Sequence, residues 1–358
     1  MKLTRQIKLI PTKQQDKLMT ATADEYIGLI NAIVDYFDGQ GAVQELTSAT
    51  VKAPLPSALK NQCISDAKCI YKKFLKDVRK KGSATLPVLK KPVAVWNNQN
   101  YKVLNDRIEF PMLLNGKSKR FSVAAIIPKE MFAEIQSRKL GTLRVTKKNR
   151  TWIAQIAYEA PENEPLFGQV MGVDLGLKCP AVCATESGKI KFVGNGRKNK
   201  YLRRFYREKR RSIGKAKKLK ALKRLNNKEQ RVMRDIDHKM SREIVNFAIN
   251  SRVSTIKLEN LANIRKATRK SRKNEHNLHT WSFYRLASYI EYKAKLAGIT
   301  VEYMNPAYTS QRCPICGKYN HAEDRRCTCE CGYHAHRDIV GAINICRSTE
   351  APGNRMST

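Results

Sequence analysis

The chain has 358 residues and carries 69 Lys+Arg against 31 Asp+Glu, a surplus of 38 positive charges. A hydrophobic fraction of 42% is enough for packed cores and excludes wholesale disorder, and no run of roughly 18 consecutive apolar residues offers a membrane span. A compact chain with so much like charge repels itself unless a polyanion neutralises it, so nucleic acid is the expected partner and an anionic membrane surface the weaker candidate.

At about 100–200 residues per domain the length predicts two or three domains. The opening Met1-Lys2-Leu3-Thr4-Arg5-Gln6-Ile7 lacks the apolar run of a signal peptide. The first eleven residues alternate charged and apolar positions and stop at Pro11, a pattern suited to an edge strand. Met19, Ala23, Tyr26, Ile30, Ile33 and Phe37 then recur at helical spacing from Lys13 to about Asp38, before Gly39 and Gly41. Residues 56–80 repeat the style with Leu59, Cys63, Ala67, Ile70 and Phe74 on one stripe, up to the breakers Pro87 and Pro92. From 93 to 160 the period shortens to that of antiparallel strands split by Asn-Asp and Asn-Gly turns, and the segment is predicted as sheet of sandwich or barrel type. Strand, helices, strands reads as a β-barrel interrupted by a helical insertion. Pro161 to Pro165 reads as a linker.

Beyond it, strands are predicted at Gln169–Asp174, Cys179–Thr185, Lys189–Val193, Ser254–Leu258 and Thr300–Met304. One long basic helical stretch is expected from about Arg197 to Asn250, a helix over 281–297, and a last helix from Asp338 to about Cys346. No fixed-period repeat is present.

In a chain this basic the few acids stand out. Asp174 lies in Val170-Met-Gly-Val-Asp-Leu-Gly176, where glycines on both sides admit a close-approaching backbone. Glu259 ends the strand Ile256-Lys-Leu-Glu259, and Asp338 opens the helix His336-Arg-Asp-Ile-Val-Gly-Ala-Ile-Asn344. Taken singly each acid also fits a cap or a surface charge, Asp338 as a helix N-cap above all. Together they fit one end of a single sheet, where hard oxygen ligands suit Mg²⁺ and two ions about 3.5–4 Å apart act on a phosphodiester.

Gly172-Val-Asp-Leu-Gly176, Lys257-Leu-Glu-Asn-Leu261, Thr309-Ser-Gln-Arg-Cys-Pro-Ile-Cys-Gly317 and His336-Arg-Asp-Ile-Val-Gly-Ala-Ile-Asn-Ile345, in this order, resemble the TnpB proteins of bacterial insertion sequences, RNA-guided nucleases related to type V CRISPR effectors. With the basic stretch the resemblance covers roughly residues 166–346; the N-terminal half matches in style alone. It implies an α+β multidomain chain. Residues 1–11 and 84–165 would be a wedge-like β-barrel, 12–83 a helical recognition insertion, 166–307 with 338–358 an RNase H-like RuvC nuclease domain, and 308–337 an inserted zinc ribbon. It also implies a catalytic triad of Asp174, Glu259 and Asp338 holding two Mg²⁺ ions, with Asp174 touching both. A guide RNA of the omega-RNA type would select double-stranded DNA by base pairing while the protein reads a short flanking motif. One protein per guide RNA, no membrane association, and a bacterial or archaeal cytoplasm near the nucleoid complete the expectation. Some family members have lost the triad and act as repressors; here all three acids are present.

Five cysteines, at 313, 316, 327, 329 and 331, crowd into 19 residues. In a chain without a secretion signal this reads as a metal site, with free thiols in a loop as the plain alternative. Cys313 and Cys316 have zinc-ligand spacing, followed by Gly317. The second half, Cys327-Thr-Cys329-Glu-Cys331-Gly332, departs from it. Gly332 marks Cys331 as fourth ligand by symmetry with Cys316-Gly317, and Cys329 is the choice for the third, since the family usually has an apolar residue at 327; Cys327 is the alternative. His334 and His336 are secondary candidates. Cys63, Cys69, Cys179, Cys183 and Cys346 are expected as buried small hydrophobes.

Residues 197–234 hold 18 Lys+Arg and two acids, with Tyr201, Phe205 and Tyr206 interleaved. Solvation of a helix does not need so many like charges; phosphate contacts do. Lys200, Arg203, Arg204, Arg207, Arg210, Arg211 and Lys215 are the expected nucleic-acid contacts here, and Arg269, Lys270 and Arg272 in the basic run 265–273. That run lies where the family has a mobile loop near the active site. Trp281 and Phe283 offer stacking surfaces, although Phe283 falls on an apolar stripe. The expected function is guide-RNA-directed, Mg²⁺-dependent DNA cleavage. The alternatives are a DNA-binding transcriptional regulator without cleavage, a compact type V CRISPR effector, and a strand-joining transposase.

Overall fold

The computed structural model describes residues 1–161, 163–261, 281–305, 308–320 and 325–348. The chain divides into two compact units, Met1–Pro161 and Glu162–Thr358.

In the first unit β1 (Lys2–Ile10) leads into α1 (Lys13–Gly39) and α2 (Ser57–Lys81), and the chain returns as β2 (Val93–Trp96), β3 (Lys102–Val103), β4 (Arg107–Leu114), β5 (Lys117–Ile126), α3 (Lys129–Gln136), β6 (Leu140–Lys148) and β7 (Thr151–Glu159). The strands form one sheet in the order β2-β6-β7-β1-β5-β4-β3. It is a half-barrel, not the expected barrel, because β2 and β3 end the sheet. They are four and two residues long, too short for a closing ladder. Side chains span the gap: the Trp96 indole donates to the Pro111 carbonyl (3.1 Å) and its ring lies 4.8 Å from that of Phe110.

β1 is not an edge strand. It pairs with β7 from Lys2 to Leu9 and with β5 from Lys8 to Ile10. The alternation that suggested an edge reports one wet face and one dry face, with Ile7 and Leu9 buried, and says nothing about neighbours in the sheet plane. α1 starts at a reciprocal cap: the Gln15 amide donates to Thr12 Oγ1 (3.2 Å) and the Thr12 amide to Gln15 Oε1 (3.1 Å). Its stripe of Met19, Ala23, Tyr26, Ile30, Ile33 and Phe37 is buried in the core with the sheet and α2. Sequence reasoning missed α3, whose eight residues are too few to show a period against the surrounding strands.

The second unit contains β8 (Gln169–Asp174), β9 (Ala181–Thr185), β10 (Ile190–Val193), α4 (Gly196–Lys215), α5 (Leu219–Leu225), α6 (Lys228–Asn250), β11 (Val253–Glu259), α7 (Phe283–Leu296), β12 (Thr300–Met304), the short pair β13 (Arg326–Thr328) and β14 (His334–His336), and α8 (Arg337–Arg347). The basic helical stretch expected over 197–250 is helical and divides into three helices. The backbone takes positive φ at Lys217 (51°) and Asn226 (35°), which no continuous helix tolerates. The five-stranded sheet has the order β10-β9-β8-β11-β12. β8, β9 and β10 are antiparallel, whereas β8, β11 and β12 run parallel.

Helices cover both faces. Met171, Val173, Ala181 and Cys183 face α6 and α7 through Ile244, Val245, Ala248, Leu286 and Ile290, with Phe283 in the same core. The alternate residues Val182 and Ala184 face α8 through Ala342, Ile339 and Ile343. α8 lies very close to β8: a Cβ on Gly172 would stand 2.1 Å from the Ala342 carbonyl oxygen and 2.4 Å from the Cys346 amide nitrogen. Gly172→Ala is therefore expected to destabilise this unit by about 1–3 kcal/mol or more, since neither backbone can yield cheaply. Thermal unfolding measures this; an unchanged midpoint would mean that strand and helix do not touch at this depth.

Candidate active site

The sheet places two of the three acids. Gly172 pairs with Lys257 and Val173 with Leu258 in parallel register, so Asp174 and Glu259 end adjacent strands at the same level and on the same face. The third comes from α8. His336, not Asp338, is its N-cap: the Asp338 amide donates to His336 Nδ1 (3.2 Å). Asp338 sits in the first turn, where the helix dipole favours a carboxylate. α8 runs antiparallel to β8, because Cys346 lies beside Gly172 while Gly341, one turn from Asp338, lies beside Asp174. A Cβ on Gly341 would meet Asp174 Oδ2 at 3.1 Å.

Each carboxylate has its own environment. Burial, then the charges of Glu259 and Asp338, raise the Asp174 pKa well above the ordinary range; Arg337 and Arg325 oppose the shift. Burial also raises Glu259, while the Thr309 hydroxyl, donating at 2.5 Å, favours its charged form. Asp338 accepts from Arg325. Among the described residues, only two groups of three or more metal-ligating side chains bring their donor atoms within 4.8 Å of one another: Cys313, Cys316, Cys329 and Cys331, and Cys179, His336 and Asp338. The three acids share one electrostatic field but are not such a group.

The four-cysteine group has two turns, each closed by a glycine. The Gly317 amide donates to the Cys313 carbonyl (3.0 Å) and the Gly332 amide to that of Cys329 (3.0 Å), with φ of 77° and 86° at the two glycines. Sulfur–sulfur distances are 3.7 Å for Cys313–Cys331 and 3.4 Å for Cys316–Cys329. The Cys331 amide, pointing at the Cys329 sulfur, holds that thiol down at about 6. The Tyr333 amide also favours the Cys331 thiolate, but hydrogen bonds with Cys329, Cys316 and Cys313 keep Cys331 at about 12. Cys327 is buried in β13 opposite Ala335 and is outside the group. His334 and His336 are outside it too.

Sequence reasoning missed Cys179 and Arg325. Cys179 is half-buried, not buried as expected, and burial, then the neighbouring Asp338 carboxylate, raise its pKa. Cys69 is exposed, also against expectation, while Cys63, Cys183 and Cys346 are buried.

The basic residues divide. α4 begins against the loop after β8, its Asn195 cap accepting from the Lys198 amide (3.0 Å). Burial, then the charges of Lys178, Arg204 and Arg325, lower the pKa of half-buried Lys200. Arg203 is half-buried near Glu229 and Asp237, and Arg210 pairs with Glu229, joining α4 to α6. Arg204, Arg207, Arg211 and Lys215 are exposed. Exposed Tyr201 and Phe205 stack at 6.3 Å, with Lys209 Nζ 5.4 Å from the Phe205 ring. Arg269, Lys270 and Arg272 lie outside the described residues.

Because the folded chain binds a proton at Asp174 more tightly than the unfolded one, ionisation there costs stability at neutral pH. Metal-free Asp174→Asn protein is expected to melt above the wild type at neutral pH. The gain should shrink as pH falls toward the ordinary carboxylate range, where both states hold the proton. Melting curves at several pH values in chelator check this; a lower midpoint at neutral pH would contradict the electrostatic reading.

Two family models match: the Cas12f1-like TNB domain over residues 283–345 and OrfB_IS605, a probable transposase, over 154–265. A CRISPR-associated endodeoxyribonuclease Cas12f1 of Syntrophomonas palmitatica is 28% identical over 346 residues, covering 84% of this chain and 68% of that protein. A TnpB-like protein of Methanocaldococcus jannaschii is 38% identical over 144 residues, covering 39% of this chain and 51% of that protein. In structure, the chain resembles Cas12f1 solved by cryo-EM in a complex with single guide RNA and target DNA, with a TM-score of 0.66 at 17% identity over 92% of this chain and 81% of that one. With the motifs around Asp174, Glu259, Cys313 and Asp338 in family order, the chain belongs to the family of TnpB proteins and their compact type V CRISPR relatives.

Proposed function

We propose that this chain is an RNA-guided, Mg²⁺-dependent DNA endonuclease encoded by an insertion sequence. It would cut target DNA beside a short flanking motif with a single RuvC-like site on an RNase H-like sheet. The observation that carries this reading is the convergence of Asp174, Glu259 and Asp338 at one end of the sheet, where burial and mutual repulsion raise the Asp174 pKa. Hard carboxylate oxygens fit Mg²⁺, and a divalent cation would relieve the repulsion that raises the Asp174 pKa. Bound there, two Mg²⁺ ions would supply an activated water and neutralise the charge of the leaving oxygen.

The chain's own residues do the rest. Lys178, Lys200, Arg204, Arg325 and Arg337 put positive charge around the acids, suited to holding a phosphate backbone. Thr309 orients Glu259 through its hydroxyl. Arg325 pairs with Asp338; a cation bound to that carboxylate would free the guanidinium for phosphate. The exposed cations of α4 and its Tyr201–Phe205 stack suit a guide RNA or a displaced strand. One protein per guide RNA is the simplest assembly.

The four cysteines would hold one structural Zn²⁺. A tetrahedron with Zn–S bonds of about 2.3 Å has edges near 3.8 Å, close to the 3.7 and 3.4 Å between sulfurs. Cys313→Ser is expected to lose the zinc and lower the melting midpoint, whereas Cys327→Ser keeps one zinc per chain. Metal analysis of the purified variants decides between Cys329 and Cys327.

Protein purified with its co-expressed RNA is expected to linearise a matching plasmid in Mg²⁺ next to one flanking motif. Asp174→Ala should cut on the order of a thousandfold more slowly while binding RNA and target equally well. Binding without cutting beside any motif would favour the regulator. Thr309→Val should cost roughly 10–100-fold in cleavage, the usual effect of losing a ligand's supporting bond; full activity would remove Thr309 from the site.

A further inference from the structure

We infer that Cys179, His336 and Asp338 form a second metal site, selective for Zn²⁺-like ions, whose occupation inhibits the nuclease by drawing Asp338 away from the hard-cation site. The three side chains come from separate elements: the loop before β9, the end of β14 and the first turn of α8. Their donor atoms lie within 4.8 Å of one another, closer than the three acids come. His336 Nδ1 is 4.0 Å from Asp338 Oδ2, and the Cys179 sulfur lies within 4.8 Å of a carboxylate oxygen of the same residue. The Phe192 ring meets the imidazole edge-on at 5.5 Å and fixes its orientation.

The donor set discriminates between metals. A thiolate, an imidazole and a carboxylate are the ligands of Zn²⁺, and three protein ligands leave a fourth position for water. Mg²⁺ takes oxygen and has little affinity for sulfur or imidazole nitrogen. On binding, the Cys179 S–H bond breaks, an S–Zn bond forms and the proton passes to solvent. The Asp338 oxygens then serve Zn²⁺ in place of Arg325. The two ions thus compete for one carboxylate, with Cys179 available to one of them alone.

The inhibitory half of this inference rests on the nuclease reading; the binding half does not. The test uses RNA-loaded protein whose cysteine cluster already holds one zinc, dialysed against zinc chloride. Wild-type protein and a Cys69→Ser control, which lacks an exposed thiol, are expected to bind a second zinc. Cys179→Ser and His336→Asn, the latter retaining a capping oxygen, should bind one. In plasmid cleavage with Mg²⁺, zinc chloride should slow the wild type at least about tenfold, a loss of roughly 1.4 kcal/mol in transition-state stabilisation. Cys179→Ser should cut at one rate with and without zinc, whatever that rate is relative to the wild type. A wild type that binds one zinc, or a Cys179→Ser protein that binds two, overturns the site. A second zinc that leaves cleavage unchanged overturns the inhibition. Absence of cleavage in every condition counts against the nuclease reading, while the stoichiometry still decides the site.

Discussion

The site depends on how closely β8 and α8 approach. A strand and a helix covering it normally stand apart by the size of their side chains. Here Gly172 removes the strand's side chain where the helix backbone crosses, leaving room for the Ala342 carbonyl and the Cys346 amide alone. Gly341 does the same from the helix, so that the Asp174 carboxylate packs against its Cα. Two missing methyl groups thus bring an acid on a strand and an acid on a helix to the same place. Glu259 needs no such device, since parallel pairing of β11 with β8 sets it level with Asp174.

Gathering three carboxylates would be unfavourable in a neutral protein. In this one the surrounding charge is nearly all of the other sign, and Arg325 and Arg337 already favour the charged form of Asp174. Burial and repulsion outweigh them, leaving Asp174 with a raised pKa. The surplus of 38 positive charges is therefore not spread evenly in effect. Some cations are answered by acids within the fold, as where Arg210 meets Glu229 and Arg285 meets Asp237, and add nothing to that surplus. Part stands beside the acids, around Lys200. Part lies on the exposed face of α4, at Arg204, Arg207, Arg211 and Lys215, where a polyanion can neutralise it.

Much of this was legible in the sequence because it was periodic or local. The stripe from Met19 to Phe37 and the strands Gln169–Asp174 and Thr300–Met304 follow from spacing. What spacing cannot carry is which strands become neighbours. Alternation in β1 reported its buried face and was silent on its two partners. A run of lysines and arginines hid the breaks at Lys217 and Asn226, since charge pattern is insensitive to φ. The acids were found through their flanking glycines and strand ends. Cys179 and Arg325 were not, because each matters through a residue more than ten positions away that the fold alone brings near. Cys329 could be chosen over Cys327 on family likeness, but the pairing of Cys327 with Ala335 in β13 is a property of the folded ribbon.

The cysteine-rich segment is tied to the acids at several points. Asn344 of α8 donates to the carbonyls of Thr309 and Arg312 (2.7 Å each), and Arg347 donates to that of Pro314 (2.6 Å). Arg337 reaches Ser310 Oγ at 3.1 Å. Thr309, held in this way, donates to Glu259, and Arg325, just ahead of β13, holds Asp338. Two of the three acids are thus positioned through the segment that carries Cys313 to Cys331. Short strands of three residues cannot fix such a segment by themselves. Four converging sulfurs can, once a cation joins them. A structural ion there would act on the acids at one remove, by setting the threonine and the arginine that orient them.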